Sequence, residues 1–69
     1  MNNWVSTEHA LPKLYSEVEV SDNGLICNGE LEYTNRAEYP GWYGRFETGF
    51  ACVYGYLVDE PPKYWRYKN

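Results

Sequence analysis

A chain of sixty-nine residues is bounded to one domain, 1–69, and at this size only about 60% of the unfolded surface is buried on folding. Three Trp, eight Tyr and two Phe supply the large side chains that let such a domain hold together without a metal or several disulfides. The formal charge of −4 argues against direct nucleic-acid binding, because affinity for phosphate comes mainly from basic residues, and no apolar run approaches the ~18 residues that cross a bilayer.

Trp4-Val5-Ser6 is a short opening segment, and Ser6 to Leu11 reads as one helical turn, capped by Ser6 or Thr7 and stopped by Pro12. Tyr15 to Ser21 alternates, with Val18 and Val20 on one side and Glu17, Glu19 and Ser21 on the other, the period of a half-buried strand. Asn23-Gly24 follows, a strong signal for a two-residue type I′ hairpin turn. That turn places Val20 opposite Cys27, Glu19 opposite Asn28 and Glu17 opposite Glu30. One face then carries Val18, Val20, Leu25, Cys27, Leu31 and Tyr33, and the other carries Glu17, Glu19, Glu30 and Glu32. The Glu17–Glu30 pair sets like charges opposite each other, which costs stability at this spacing.

Asn35 to Pro40 reads as a loop, with Pro40-Gly41 turning into a second hairpin over Trp42 to Val58. Glu47, Thr48 and Gly49 form its expected loop, with Gly49 at a left-handed φ and Phe46 opposite Phe50. Trp42 then faces Tyr54, and Phe50 to Val58 becomes the best-packed, central strand. Trp42, Phe46, Phe50 and Tyr54 are expected in the core. Asp59-Glu60-Pro61-Pro62 leaves the sheet, and Tyr64 to Tyr67 adds a closing strand. The fold expected is mainly β, or α+β if the one short helical turn forms: a single small twisted antiparallel sheet of about five strands.

Trp4-Val5-Ser6, Leu11-Pro12, Glu17-Val18-Glu19-Val20 and, more loosely, Lys63-Tyr64-Trp65 resemble a family of short phage and prophage proteins of unknown function. Its members begin Trp-Ile-Ser, reach Leu-Pro, continue into a Val-rich strand and finish near Thr-His-Trp and prolines. The resemblance covers about the first twenty residues and the last few; the histidine before the last tryptophan and the proline tail are absent. It implies a viral origin and a small β-rich fold, and it brings no activity with it.

Residue chemistry points away from catalysis. Cys27 and Cys52 with His9 fall short of the four ligands of a zinc site and lack a CxxC spacing, so no metal or other cofactor is expected. The two thiols read as small buried apolar groups, with a Cys27–Cys52 disulfide as the alternative. Two cysteines, with no basic-apolar leader opening the chain, suit a reducing cytoplasm. His9 is the one candidate for acid/base work near neutral pH, and it has no serine or cysteine nucleophile at a motif spacing. Paired glutamates could run glycoside chemistry only beside a substrate cleft that a chain this short has little volume to form, so neither turnover nor a small-molecule substrate is expected.

Charge is divided unevenly. Residues 1–34 hold six acids and one base, and residues 35–69 hold four acids and five bases. Glu17, Glu19, Glu30 and Glu32, with nearby Asp22, form an acidic face that either confers solubility or imitates nucleic-acid phosphate, since alternate residues of a strand lie about 7 Å apart. The leading expectation is a phage-encoded inhibitor of a CRISPR-type defence nuclease, acting in the bacterial cytoplasm by stoichiometric binding. The alternative is an accessory interaction module whose contact surface is Tyr64, Trp65, Arg66 and Tyr67.

Overall fold

A computed structural model describes residues 3–39 and 44–68 of the chain. Five strands, β1 (Val5–Ser6), β2 (Ser16–Ser21), β3 (Gly29–Glu38), β4 (Phe46–Ala51) and β5 (Tyr64–Tyr67), form one curled antiparallel sheet in the order β1-β5-β2-β3-β4. The mainly-β expectation is met, and no helix forms among the described residues. Ser6 to Ala10 makes only a hydrogen-bonded turn, with the His9 and Ala10 amides both donating to the Ser6 carbonyl.

β2, not Phe50–Val58, is the central strand. Its even positions, Val18 and Val20, pair with Leu31 and Gly29 of β3 on one side and with Tyr67 and Trp65 of β5 on the other. Val18, Val20, Phe50 and Trp65 make the buried cluster, with Val5, Leu31, Tyr33 and Val58 packed against it. Trp65 is fixed twice. Its indole N–H donates to the Ala10 carbonyl at 2.8 Å, and Tyr67 meets its ring edge-on at 4.9 Å. The indole thus ties β5 to the segment that follows β1.

The β2–β3 connection is not the expected two-residue turn. A type I′ turn needs φ > 0 at both central residues, and here Gly24 has φ 73° while Asn23 stays outside that region. The Asn23 side chain turns the backbone instead, its Oδ1 accepting from the amides of Leu25 and Ile26. The Asp22 amide donates to Asn28 Oδ1, and the loop lengthens to 22–28. Register therefore moves by two residues, which keeps the side chains that remain in the strands on the same face, while Leu25, expected on the Val18 face, is 73% exposed in the loop. Cys27 leaves the sheet and lies exposed in the loop; it and the half-buried Cys52 are both free thiols.

The second hairpin is the larger correction. Residues 35–38 continue β3 rather than forming a loop, and β3 pairs with β4 across a register shift between Thr34 and Ala37. Glu47, Thr48 and Gly49 lie inside β4, and Gly49 has no left-handed φ. Its lack of a side chain serves a close approach instead: a Cβ there would sit 2.5 Å from Leu57 Cδ1. The pairing of Trp42 and the Pro40-Gly41 turn lie outside the described residues. Phe50 is buried against Tyr33, its register partner, at a ring distance of 5.1 Å. Phe46 is 60% exposed and Tyr54 82% exposed, so neither is core.

After Ala51 the chain turns at Cys52–Gly55, with Gly55 at φ 86°, and runs back along β4. Glu38 N–H donates to the Gly55 carbonyl and Leu57 N–H to the Glu38 carbonyl, both at 2.7 Å, while Val58 N–H donates to Phe50 at 3.0 Å. Residues 55–58 thus join β3 to the outer edge of β4 and roll this end of the sheet around Ala37 and Ala51, both fully buried. Only small side chains fit inside so tight a curl.

Candidate functional site: a carboxylate ladder with its own cations

The odd positions of β2 point away from the Val18–Val20 face. Glu17 pairs with Glu32 and Glu19 with Glu30, so four carboxylates form two cross-strand rungs. The expected Glu17–Glu30 pairing is thus replaced by two like-charge pairs, although the set of residues on the face is unchanged. Directly opposed like charges destabilise a sheet, and the chain brings two cations beside the ladder, Arg66 of β5 and Lys68 just after it, that offset part of the repulsion.

Arg66 pairs with Glu19 across the β2–β5 ladder, and its Nε donates to Glu19 Oε1 at 2.6 Å. The guanidinium also lies 4.1 Å from the ring centroid of Trp4. Held between a carboxylate and an indole face, it is an ordered cation with about a third of its side chain exposed. Two residues on, Lys68 places Nζ 3.0 Å from Glu30 Oε1 and 4.0 Å from Glu17 Oε2. The hydrogen bond and charge of Glu30, with smaller contributions from Glu17 and Glu19, hold the Lys68 ammonium above its ordinary value of 10.5. Six charged side chains thus share one face, four acidic and two basic.

The ladder ends differently on its two sides. Toward the 22–28 loop, Ser21 is fully buried, its hydroxyl accepting from the Asn23 and Gly24 amides, and Gly24 lies against the Tyr64 ring. Asp22 is exposed in the loop beyond Ser21, off the rungs. Beside Glu30 and Glu32, a groove of about 240 Å³ opens between the carboxylates and the Cys52–Gly55 turn, where Val53 is 90% exposed.

Of the other residues singled out from sequence, Trp65 is core, at 4% exposure, because β5 lies between β1 and β2 rather than at an open rim. Tyr64 is half-buried, Arg66 belongs to the ladder, and Tyr67 keeps an exposed edge while stacking on Trp65. An aromatic contact surface centred on Trp65 is therefore not presented by the folded chain. His9 is exposed in its turn, and among the described residues no group of three or more His, Cys, Asp or Glu is placed to hold a metal ion. No described helix is long and apolar enough to cross a membrane.

Sequence reasoning missed the two cations. Their signal was present in the alternation of Arg66 and Lys68, which puts both on one face of a strand, but which strand they join is fixed only by the sheet order. The Val53 wall was missed because residues 53–58 read as buried strand.

The chain matches no family model, no curated protein and no solved structure.

Proposed function

We propose that the protein is a non-catalytic, stoichiometric binder that presents the Glu17–Glu32 and Glu19–Glu30 rungs to a basic surface on a partner protein, a surface that otherwise carries nucleic acid. The observation that supports this reading is the ladder itself: two opposed like-charge pairs on one face, whose repulsion Arg66 and Lys68 offset only in part, since two cations stand against four carboxylates. Rungs about 7 Å apart along each strand offer a basic channel a regular row of anionic groups. Such a surface raises the association rate by steering and loses affinity as salt rises. With the viral origin that the resemblance implies, the partner is the nucleic-acid path of a CRISPR-type effector nuclease in the bacterial cytoplasm, and the outcome is occlusion of that path.

The test measures binding to a purified effector nuclease, and competition with its target DNA, from 50 to 500 mM salt, for the native protein and for a variant with Glu17, Glu19, Glu30 and Glu32 changed to Gln. Binding weakened at least tenfold in the variant, with a flattened salt dependence, is the expected result. Equal affinity in both proteins at every salt concentration rejects the reading.

A further inference from the structure

Two Asn-Gly pairs, Asn23-Gly24 and Asn28-Gly29, stand near either end of the 22–28 loop. Both asparagine side chains build that loop. Asn23 Oδ1 accepts from the amides of Leu25 and Ile26 at 2.8 and 3.1 Å, and Asn28 Oδ1 accepts from the Asp22 amide at 2.7 Å. Asparagine before glycine also carries a reactivity of its own, because a following residue without a Cβ lets its amide nitrogen reach the side-chain carbon Cγ. By sequence the two pairs are equivalent. The fold treats them differently.

At the first pair the nucleophile is held. Gly24 is buried, and its N–H donates to Ser21 Oγ at 3.0 Å; the fully buried Ser21 hydroxyl in turn donates to Asn23 Oδ1 at 3.2 Å. The Tyr64 ring lies 3.5 Å from the place a Gly24 Cβ would take, which limits any swing of this glycine toward Asn23 Cγ. Donors on Asn23 Oδ1 draw electron density from Cγ and by themselves favour attack. Ring closure, however, needs a deprotonated nitrogen aimed at that carbon, and the Gly24 proton is committed to Ser21 away from water. The second pair is more open. Asn28 is exposed, its one side-chain bond to Asp22 lies at the surface, Gly29 is half-buried, and nothing lies within 4 Å of the position a Gly29 Cβ would take.

We propose that Asn28 is a self-modification site of the folded protein, converting to aspartate and isoaspartate, and that Ser21 withholds Asn23 from the same reaction. The Gly29 nitrogen loses its proton to hydroxide and bonds to Asn28 Cγ; the Cγ–Nδ2 bond breaks, and Nδ2 takes a proton from water and leaves as ammonia. Water then opens the succinimide. Attack at Cγ gives aspartate, and attack at the backbone carbonyl carbon gives isoaspartate, with the chain running through the former side chain. One water enters and one ammonia leaves. The site does not depend on the binding role given to the ladder. Conversion adds a negative charge next to the Asp22 amide, and the isoaspartyl form inserts a methylene into the backbone just before β3, two residues from Glu30.

The test incubates the full chain at mildly alkaline pH in heavy-oxygen water, natively and in denaturing guanidinium chloride. Mass spectrometry of the tryptic peptide Leu14–Arg36 reads conversion at each asparagine, and an isoaspartyl methyltransferase reads the isoaspartyl product. In the folded protein Asn28 should convert at least about fivefold faster than Asn23, the factor that one hydrogen bond contributes. In denaturant the two rates should come together. Ser21→Ala should speed Asn23 by about fivefold and leave Asn28 unchanged. Gly29→Ala, with room for its methyl, should silence Asn28 alone.

Equal rates at the two sites in the folded protein, or no conversion of Asn28 until denaturant is added, overturn the proposal. So does a ratio that is the same with and without denaturant, because the fold would then have no part in it. Conversion of Asn28 that persists in Gly29→Ala rejects the ring-closure route. Circular dichroism checks that each variant keeps its sheet, and if Ser21→Ala does not fold, the ratio of the two sites in the native protein decides the question without any substitution.

Discussion

Replacing Trp65 with Ala separates a core residue from a contact residue. The indole is 4% exposed, packs in the cluster with Val18, Val20 and Phe50, and donates to the Ala10 carbonyl. Large aromatic-to-Ala changes in a core cost about 3–5 kcal/mol, of which the lost hydrogen bond accounts for about 1 kcal/mol. A domain of this length has a total stability of about 3–10 kcal/mol. The substitution therefore removes a third or more of what holds the protein together, and at the low end of that range all of it. Urea denaturation followed by far-UV circular dichroism reads the loss. With a slope of about 1 kcal/mol per molar urea for a small protein, the midpoint should fall by about 3 M or more, or the variant should be unfolded from the start. Trp65→Phe keeps most of the ring but leaves the Ala10 carbonyl without its donor, and should cost about 1–2 kcal/mol. A Trp65→Ala variant that keeps its midpoint within about 0.5 M and yet loses partner binding would refute the packing argument and restore Trp65 as a contact residue.

Two further substitutions probe local geometry. Glu32→Gln removes one member of the Glu17–Glu32 rung and should stabilise the fold by a few tenths of a kcal/mol, up to about 1 kcal/mol, in low salt; repeating the urea titration in 1 M salt should erase the gain, and a loss of stability would show that the rung is not repulsive. Gly24→Ala places a Cβ 3.5 Å from the Tyr64 ring, an ordinary contact, so its cost comes from the left-handed backbone at φ 73° and should be about 1–2 kcal/mol, a drop of about 5–10 °C in Tm. Gly29→Ala, at a site with open space around the added Cβ and no left-handed φ, should leave Tm nearly unchanged, and equal losses at both glycines would remove the conformational explanation.

Local pattern was enough to place the acids. The alternation of Glu17, Val18, Glu19 and Val20 put the carboxylates on one face, and the assignment held although the connecting loop has seven residues instead of two, because register moved by an even number. The closing strand at Tyr64–Tyr67 was legible for the same reason. Where the signal was a lone glycine, it misled. Gly49 marks the approach of Leu57 and not a turn, and from sequence the two uses of a missing Cβ look alike.

The Trp42 to Val58 stretch shows what sequence could not decide. Aromatic content suggested a hairpin folded on itself, but Phe50 found a better partner in Tyr33, and β3 extended through Ala37 to receive β4. Pairing between strands distant in sequence is settled by which arrangement buries the most apolar surface at once, a property of the whole sheet and not of any window. The same holds at the candidate site. Composition and period determined that four glutamates share a face; only the sheet order, which inserts β5 between β1 and β2, brought Arg66 and Lys68 to that face and buried Trp65 beneath it. Arg66 and Glu19, 47 residues apart along the chain, meet because antiparallel neighbours place every second side chain side by side, and Lys68 reaches across β2 to Glu30, 38 residues away; which strands become neighbours is decided in three dimensions.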